Sequence, residues 1–395
     1  MAFNNFKKTA YVEMLIEPNR GWGNYSKNLC VFLISKGIAF PLTPFKAKST
    51  DSCSYEWKLI IDTINRASLQ YITKIKNSNE LDFDYSFYGF GNENPYKEIA
   101  FNNLEGKKKI AVIFFEVSIL EKSYIDFLKN FDLVVTGSTW NKNILLKEGL
   151  DNVSKVIQGV DTIFFNPTRI QKILGSRFTI FSGGKLEIRK GQDIILTAFK
   201  EFIKECPNAL LICTWINDTE YIHTLADSPY TIGSPKSGSA EDISEWIVKQ
   251  GIPKHNFLVP SKLNSSQVAN LIKHSDLSVF TNRCEGGTNL LAMESICCGI
   301  PTILSANSGH LDLMRLGLPG IIPINSENRS SNILRNKNNH KQWYDIGPDD
   351  LLKLISKLYN KPSLLYSYKN MINNQILYSM SWEASFSKLF NQISI

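Results

Sequence analysis

The sequence lacks several features that would narrow its class at once. No apolar run among the 395 residues is long enough to span a bilayer, and no signal peptide precedes the first apolar segment. The seven cysteines lack the spacing of metal ligands, and Cys297 and Cys298 are adjacent on a predicted helix, so they cannot both face one metal ion. These absences argue against a membrane-spanning protein and a disulfide-rich secreted one. We therefore expect a reduced, cytoplasmic protein.

The chain also has little excess charge. Its net charge of +7 is small for 395 residues, and its lysines are dispersed, which argues against a nucleic-acid-binding face. The charge is compatible with acidic ligands, with peripheral contact to an anionic membrane surface, or with a solvated surface alone. The length predicts two domains. Short apolar runs that alternate with amphipathic segments predict α/β units with parallel sheets.

Two series of α/β units are predicted, joined by a linker at 161–175 that contains Asn166-Pro167. Residues 49–108 give no clear pattern and predict a mixture of helix and loop, whereas the polar segment 326–340 predicts an exposed loop. The predicted strands are 9–16, 38–42, 109–115, 133–136, 178–182, 210–215, 256–259, 277–280 and 301–305, and the predicted helices are 24–36, 140–148, 192–205 and 265–274.

The most informative segment, 284–301, reads Cys-Glu-Gly-Gly-Thr-Asn-Leu-Leu-Ala-Met-Glu-Ser-Ile-Cys-Cys-Gly-Ile-Pro. It follows a predicted strand, and Gly286 and Gly287 allow a backbone to approach a ligand just before a helix begins. The start of a helix offers free N–H groups and a positive dipole end, which suits phosphate. Glu285 and Glu294 would repel phosphate, so we interpret them as acceptors for hydroxyl hydrogen bonds. Phosphate and polyol recognised together predict a nucleotide sugar.

A second glycine-containing turn, 182–191, follows one predicted strand and precedes a predicted helix. Gly184 is accompanied there by three cations, which include Lys185 and Lys190. The turn is a candidate anion clamp, although a tight turn with surface lysines would give the same pattern.

The first half of the chain offers weaker candidates. Gly21, Trp22 and Gly23 connect the first predicted strand to the first predicted helix, where glycine allows close approach to a ligand, but a plain tight turn would explain them equally. A nicotinamide-binding turn is disfavoured because position 26 is Ser instead of a third glycine. Glu116 ends an apolar predicted strand, a position at which a charge usually marks the exit to solvent.

Segment 284–301 resembles the donor-site signature of retaining GT-B glycosyltransferases of the family 4 type (glycosyl transferases group 1). Its second half, Glu294-Ser-Ile-Cys-Cys-Gly-Ile-Pro, matches closely, whereas Glu285 and Glu294 are nine positions apart and the family usually has eight. Segment 182–191 is similar to the family's Gly-Arg/Lys-Leu-x-x-x-Lys-Gly segment, with Lys185 and Lys190 on its two cation positions.

The resemblance implies a fold and an activity. The implied fold is α/β of the GT-B type, with two Rossmann-like domains facing across a cleft. Residues 1–165 would form an acceptor-side domain to which a C-terminal helix at 379–395 returns, and 166–378 would form a nucleotide-sugar-binding domain. The implied enzyme moves a hexosyl group from a nucleotide diphosphate sugar to a hydroxyl of a glycan, lipid-linked or protein acceptor, with retention of anomeric configuration. A nucleic acid is not an expected partner.

The resemblance also implies roles for individual residues. Lys185 and Lys190 would stabilise the leaving diphosphate, and Glu285 would accept hydrogen bonds from the transferred sugar. Many relatives carry a histidine near position 116; this chain has none in its first half, so Glu116 is the candidate substitute. The implied donor-binding residues are Gly21, Trp22, Gly23, Gly184, Lys262, Gly286, Gly287, Thr288, Asn289, Leu290 and, for the ribose hydroxyls, Glu294.

No metal and no cofactor are expected, because lysines and a helix terminus would supply the positive charge. Asp82-Phe83-Asp84 has a spacing that other glycosyltransferases use to hold a metal, but it lies away from the donor motifs in sequence, and we interpret it as a surface turn. His310 is interpreted as a loop histidine without a role. Two alternatives stay open: a non-catalytic nucleotide- or glycan-binding protein on the same fold, and a nicotinamide-dependent oxidoreductase.

Overall fold

The computed structural model describes residues 8–17, 21–40, 47, 54–77, 83–92, 106–168, 170–215, 220–325, 343–369 and 371–393. The chain divides into two compact units, one made of Met1–Gly159 with Ser381–Ile395 and the other of Val160–Met380. Each unit contains a parallel six-stranded sheet. The helices within the described ranges are all too short or too polar to cross a membrane. The loop predicted at 326–340 lies outside these ranges.

The sheet of the first unit has the strand order β2-β1-β3-β4-β5-β6. Aromatic and aliphatic side chains fill its core, in which Tyr11 packs against Phe83 and Tyr88. The elements are β1 (Lys8–Glu13), α1 (Gly21–Ser35), β2 (Ile38–Ala39), α2 (Tyr55–Asn77), β3 (Phe83–Phe90), β4 (Gly106–Ile113), α3 (Lys122–Leu128), β5 (Leu133–Thr136), α4 (Thr139–Lys147) and β6 (Val153–Lys155).

The sheet of the second unit has the order β12-β11-β10-β7-β8-β9, and its mostly apolar strands share a hydrophobic core with the neighbouring helices. The elements are β7 (Thr179–Gly183), α5 (Gln192–Glu205), β8 (Leu210–Thr214), α6 (Ala240–Lys249), β9 (Phe257–Leu258), α7 (Ser265–His274), β10 (Leu277–Phe280), α8 (Leu290–Cys297), β11 (Thr302–Ser305), α9 (His310–Arg315), β12 (Ile321–Ile324), α10 (Pro348–Tyr359), α11 (Pro362–Lys369) and α12 (Asn374–Met380).

The chain then returns to the first unit with α13 (Trp382–Ile393), an amphipathic helix whose apolar side is buried. Phe386 packs against Tyr25 and Phe32 with ring centroids 5.2 and 5.7 Å apart. Phe390 lies 5.8 Å from the ring of Tyr85. The last helix therefore supplies part of the first unit's hydrophobic core.

Several predicted elements are confirmed. The helices predicted at 192–205 and 265–274, and the strands at 133–136 and 277–280, have the predicted bounds. Ser138 caps α4 by accepting a hydrogen bond from the Asn141 N–H at 3.2 Å.

Two local predictions are wrong. Gly21, Trp22 and Gly23 form the first turn of α1 and are not a loop before it. A side chain at Gly23 would place its Cβ 1.7 Å from the Glu17 carbonyl oxygen, so glycine is required by this contact in spite of its low helix propensity.

The second wrong prediction is the surface turn at Asp82-Phe83-Asp84. Phe83 and Asp84 begin β3, an interior strand of the sheet, and the Asp84 carboxylate accepts a hydrogen bond from the Thr9 N–H of β1 at 2.9 Å. Asp82 lies outside the described residues. The unpatterned region 49–108 therefore contains a strand between β1 and β4 that the sequence reading missed.

Candidate active site

The sheet of the second unit has a topological switch point between β7 and β10. These neighbours pair in parallel, but the chain continues from β7 to β8 on one side and from β10 to β11 on the other. In open α/β sheets, ligands bind in the crevice outside the carboxyl ends of the strands at such a point. The loop at 184–191 follows β7 and the loop at 281–289, called the donor loop below, follows β10. The switch point thus places the two sequence motifs side by side.

Hydrogen bonds join the two loops along their length. The Arg283 N–H donates to the Arg189 carbonyl at 2.7 Å, and Arg189 Nη1 donates to the Cys284 carbonyl at 3.0 Å. Further along, Thr281 Oγ1 donates to the Gly191 carbonyl at 2.7 Å. Gly191 has a φ of +72°, and a Cβ there would lie 2.3 Å from the Thr281 carbonyl oxygen, so only glycine fits this junction.

A buried ion pair holds the start of the donor loop in place. Arg283 donates through Nη1 and Nη2 to the two Asp193 carboxylate oxygens at 2.9 and 2.8 Å, and its Nε lies 3.1 Å from Asp345 Oδ1. The Tyr230 hydroxyl donates to the other Asp345 oxygen at 2.7 Å. The side chains of Arg283 and Asp193 are 1% and 0% exposed. Removing one partner would leave a buried charge unpaired, so this network fixes where the loop begins.

Glu285 lies on the donor loop with its carboxylate buried against cations. Lys190 Nζ and Asn282 Nδ2 donate to Oε1, and Arg189 Nη1 lies 3.5 Å from the same oxygen. Burial alone would raise the pKa of the Glu285 carboxyl. The charges of Lys190, Arg189 and His310 outweigh burial and lower the pKa to about 2. Glu285 is therefore ionised at neutral pH.

The loop after β7 carries the remaining predicted cations. Gly184 has a φ of +118°, and a Cβ added to it would lie 3.8 Å from Cδ of Lys190. Arg189 Nη2 donates to Glu187 Oε1 at 2.5 Å. Lys185 is exposed on the same loop, and its carbonyl accepts from the Gln192 side chain. The structure therefore brings Lys190 and Glu285 into direct contact and leaves the Lys185 side chain exposed.

The donor loop ends at the N-terminus of α8. Gly286, Thr288 and Asn289 are buried, and Gly287, Leu290 and Glu294 are half-buried. Asn289 is the N-cap, since its Oδ1 accepts a hydrogen bond from the Ala292 N–H at 3.4 Å. Asn289 has a φ of +66°, a left-handed backbone that few residues other than glycine and asparagine adopt.

Residues 305–310, from the last residue of β11 to the first of α9, support the donor loop and are called the support segment. The Glu285 N–H donates to Ser308 Oγ at 2.8 Å, and the Gly309 N–H donates to the Glu285 carbonyl at 3.0 Å. The ring nitrogens of His310 lie 3.2 Å from Asn289 Nδ2 and 3.1 Å from the Ser305 carbonyl oxygen. Burial lowers the pKa of His310 to about 4, so the imidazole is neutral at pH 7.

Sequence reasoning missed the support segment. Its one available signal was Ser308-Gly309-His310 directly after a strand that neighbours the donor motif. Asn282 and Arg283 were also missed, although they precede the motif by only two positions and one position.

The candidates of the first unit lie at the start of α1 and just beyond β4. Trp22 packs on Phe114 with ring centroids 4.8 Å apart. The Glu116 N–H donates to Asn92 Oδ1 at 2.7 Å, and Asn92 Nδ2 donates to Glu116 Oε2 at 2.9 Å. This reciprocal pair holds Glu116 just beyond β4, close in sequence to the residue that contacts Trp22.

The structure adds two further observations on the predicted site. Lys262 is exposed in the segment between β9 and α7. Within the described ranges, no group of three or more His, Cys, Asp or Glu side chains could hold a metal ion.

The family model for glycosyl transferases group 1 matches residues 168–346, a range that includes both loops and the support segment. None of the curated proteins compared with the chain matches it. The two-sheet architecture is that of GT-B enzymes, with two Rossmann-like domains. Fold and family match together support a GT-B glycosyltransferase, a class that uses nucleotide-sugar donors.

Three solved structures illustrate the similarity in fold. Sucrose-phosphate synthase from Thermosynechococcus elongatus superposes with a TM-score of 0.65 at 11% identity, covering 98% of each chain. A glycosyltransferase from Rickettsia africae ESF-5 gives 0.63 at 13% identity, over 98% of this chain and 97% of that one. HepE from Anabaena in complex with UDP and glucose gives 0.62 at 12% identity, over 98% of this chain and 99% of that one.

Proposed function

We propose that the protein is a retaining, metal-independent glycosyltransferase of the family 4 type. It would move a hexosyl group from a nucleotide diphosphate sugar to an acceptor hydroxyl. The observation that carries this proposal is the buried contact between Lys190 and Glu285 at the switch point, next to the N-terminus of α8. It combines, in one place, a cation for phosphate and an ionised carboxylate for sugar hydroxyls.

Glu285 would act as an acceptor for the transferred sugar. A carboxyl with a pKa of about 2 carries no proton to donate at neutral pH, so it cannot serve as a general acid. The contacts with Lys190, Arg189 and Asn282 all use Oε1. The second oxygen, Oε2, is the one that would accept from a sugar hydroxyl.

Lys190 would stabilise the leaving diphosphate. An ammonium group has three N–H donors, and the contact with Glu285 uses one of them. Lys185 and the N–H groups of Thr288–Leu290 would add positive potential where charge builds on the leaving group. This arrangement supports a reaction that needs no divalent ion.

Glu294 would bind the donor ribose from the second turn of α8. We expect Glu294→Ala to weaken the binding of the nucleoside diphosphate by about 1.5–3 kcal/mol, the worth of a hydrogen bond to a charged group. Isothermal titration calorimetry on the folded variant measures this loss directly. Unchanged affinity in a variant with the wild-type melting temperature would remove Glu294 from the donor site.

The first unit would serve the acceptor. We propose that Gly21, Trp22 and Gly23 contribute to donor binding from the first unit, and that Glu116 takes the place of the family's histidine, which contacts the donor sugar. Assays with simple hydroxyl compounds would begin to distinguish a glycan, lipid-linked or protein acceptor. NMR of the product would show whether the anomeric configuration of the donor is retained.

A screen of nucleotide sugars tests the proposal. UDP-glucose is the first donor to try, since HepE of the same fold was solved with UDP and glucose. We expect the protein to release the nucleoside diphosphate, and we expect the rate of release to increase when an acceptor is present. EDTA should not change this rate. Activity that EDTA abolishes and Mn²⁺ restores would contradict metal independence. Tight binding without release of product from any donor would favour a non-catalytic binding protein.

A further inference from the structure

We propose that His310 is a positioning residue for the donor site: its neutral imidazole holds the Asn289 side chain and thereby the left-handed turn that aims the N-terminus of α8 at the donor. The proposal rests on the proposed function, because it concerns the same site. His310 has no role in the sequence reading, and it lies on a different strand-to-helix connection from the donor loop.

The hydrogen bonds fix the tautomer of the ring. Nδ1 lies 3.1 Å from the Ser305 carbonyl oxygen, which can only accept a hydrogen bond, so Nδ1 carries the proton. The neutral ring then has a lone pair at Nε2, which accepts from Asn289 Nδ2 at 3.2 Å. Ser305 Oγ also lies 3.1 Å from Nδ1, but it cannot donate to the ring, because its one hydrogen is donated to the Asn282 carbonyl at 2.6 Å.

The same bonds fix the orientation of the Asn289 amide. Its nitrogen is committed to His310, so its oxygen points the other way, towards the Ala292 N–H that it caps. A flipped amide would place Oδ1 against the lone pair of Nε2 and the nitrogen against an N–H donor, losing both hydrogen bonds. His310 thus selects the one orientation in which Asn289 can cap α8.

The residue that His310 contacts, Asn289, has an unusual backbone conformation. Asn289 has a φ of +66°, and such a backbone persists only when surrounding contacts over-determine it. The helix that follows has only eight residues, so its first turn is a large part of it. If Asn289 moved to an ordinary backbone conformation, the N–H groups of Thr288–Leu290 would turn away from the place where the diphosphate would lie.

The surroundings of His310 keep it neutral. The ring is fully buried, and burial is the main reason that its pKa is lowered. The charge of Lys190 also lowers this pKa, whereas that of Glu285 raises it. A protonated ring would present an N–H to the Asn289 amide nitrogen, which cannot accept it. Neutrality is therefore a requirement of the contact.

Two amide variants separate the two contacts of the ring. His310→Asn places an amide where Nδ1 lies and keeps the bond to Ser305, whereas His310→Gln places an amide where Nε2 lies and keeps an acceptor for Asn289. Both bury one neutral amide, so a role in stability alone would affect them equally. We expect His310→Asn to weaken nucleoside diphosphate binding about tenfold, and His310→Gln to restore affinity to within about threefold of wild type.

The experiment uses the full chain, with UDP, GDP and ADP as probes in calorimetry, and melting temperatures as the control for folding. ¹⁵N-histidine NMR of the ligand-free protein should show one of the histidines as the Nδ1–H tautomer, lost in both variants. Equal affinities of the two variants, or an Nε2–H tautomer, would overturn the positioning role while the proposed function stands. If the wild-type protein binds none of the three probes, the proposed function fails and the donor part of this inference fails with it.

Discussion

At Glu285, two opposing effects act on one carboxyl group. Burial disfavours its charge, and three neighbouring groups favour it strongly enough to lower the pKa to about 2. The pair with Lys190 is 7% and 14% exposed, so water screens it little. The carboxylate and the ammonium therefore depend on each other, and each would be costly to bury alone.

A double substitution separates the stability of this pair from its function. Lys190→Met should lower the free energy of unfolding by about 3 kcal/mol, because it leaves Glu285 buried with less opposite charge. Adding Glu285→Gln removes the orphaned charge and should recover most of the loss without restoring sugar transfer. Urea unfolding and the transfer assay measure the two properties.

An exposed pair in the same unit is the matched control. Lys204 and Glu201 lie 2.5 Å apart with side chains 68% and 42% exposed, so Lys204→Met should cost at most about 1 kcal/mol. Equal costs at the two lysines would mean that the buried pair contributes no more than a surface one.

The pH dependence of stability should show two successive windows that overlap slightly near pH 4. His310 has a folded pKa of about 4 against an ordinary 6.5, and Glu285 about 2 against 4.5. In each window the unfolded chain binds a proton that the folded one does not, so stability is lost as the pH falls, from 6.5 to 4 and then from 4.5 to 2. Each group contributes about 3 kcal/mol over its full window.

Urea unfolding of wild type and His310→Gln between pH 7 and 5 checks the upper window. The variant lacks the buried imidazole, so its stability should fall less over this range. If the stability of the two proteins falls equally with pH, the pKa of His310 is not lowered in the folded state.

Sequence alone predicted Lys190 and Glu285 as site residues but not their contact. They are 95 positions apart, and each belonged to a motif interpreted separately, so the neutralisation of one by the other depends on the pairing of β7 with β10. The sequence signal at Ser308-Gly309-His310 did not indicate a role for His310, because that role depends on the turn at Asn289.

At the scale of elements, the support segment and the donor loop pack backbone against backbone. A Cβ at Gly309 would lie 1.6 Å from the Gly287 carbonyl oxygen and 2.9 Å from that of Glu285. The φ of Gly309 is −65°, so its requirement for glycine is one of space and not of conformation. The donor loop can therefore take its shape only because residue 309 has no side chain.

Gly309→Ala should push the donor loop away from the support segment. We expect a loss of stability of about 1–3 kcal/mol from overpacking, together with weaker nucleoside diphosphate binding. Gly91→Ala is the control, since a Cβ there meets no atom within 4 Å. Calorimetric binding of UDP by Gly309→Ala at the wild-type affinity would show that the loop adapts without cost.

The elements predicted well are those whose local signals agree with their burial. β10 is a short, mainly apolar run that is buried throughout. The N-cap of α7, Asn264, forms a capping box with Gln267. The failures are positions where tertiary contacts override local preference. Gly21 and Gly23 start α1 despite being poor helix formers, and β3 was missed within a region whose overall pattern is irregular.

At the scale of the whole molecule, the first unit is discontinuous in sequence. The chain leaves it after Gly159, builds the whole second unit, and returns at Ser381. The returning helix α13 buries Phe386 and Leu389 completely. The second unit, in contrast, is one continuous stretch with its own hydrophobic core.

A chain ending at Met380 should lose the first unit selectively. Without α13, the rings of Tyr25 and Phe32 lose their partners Phe386 and Phe390, so we expect the calorimetric transition of the first unit to disappear or shift to much lower temperature. The second unit should still unfold in a transition that UDP raises. Sugar transfer should be lost.

Lys36→Met in the full-length chain is the control for this truncation, because it removes the exposed ion pair with Glu383 and a cation–π contact with Phe32 but leaves the helix. It should keep both transitions. A truncated chain with both transitions at wild-type temperatures would show that α13 is dispensable for the first unit.

The discontinuity also sets an order of events during synthesis on the ribosome. Domains usually fold as they emerge, the N-terminal one first. Here the unit that emerges first cannot bury Tyr25 and Phe32 until residues 382–393 have been translated, whereas Val160–Met380 is complete before then. We therefore expect the nascent first unit to leave part of its aromatic core uncovered while the second unit is translated, and to need chaperones more than the second unit does.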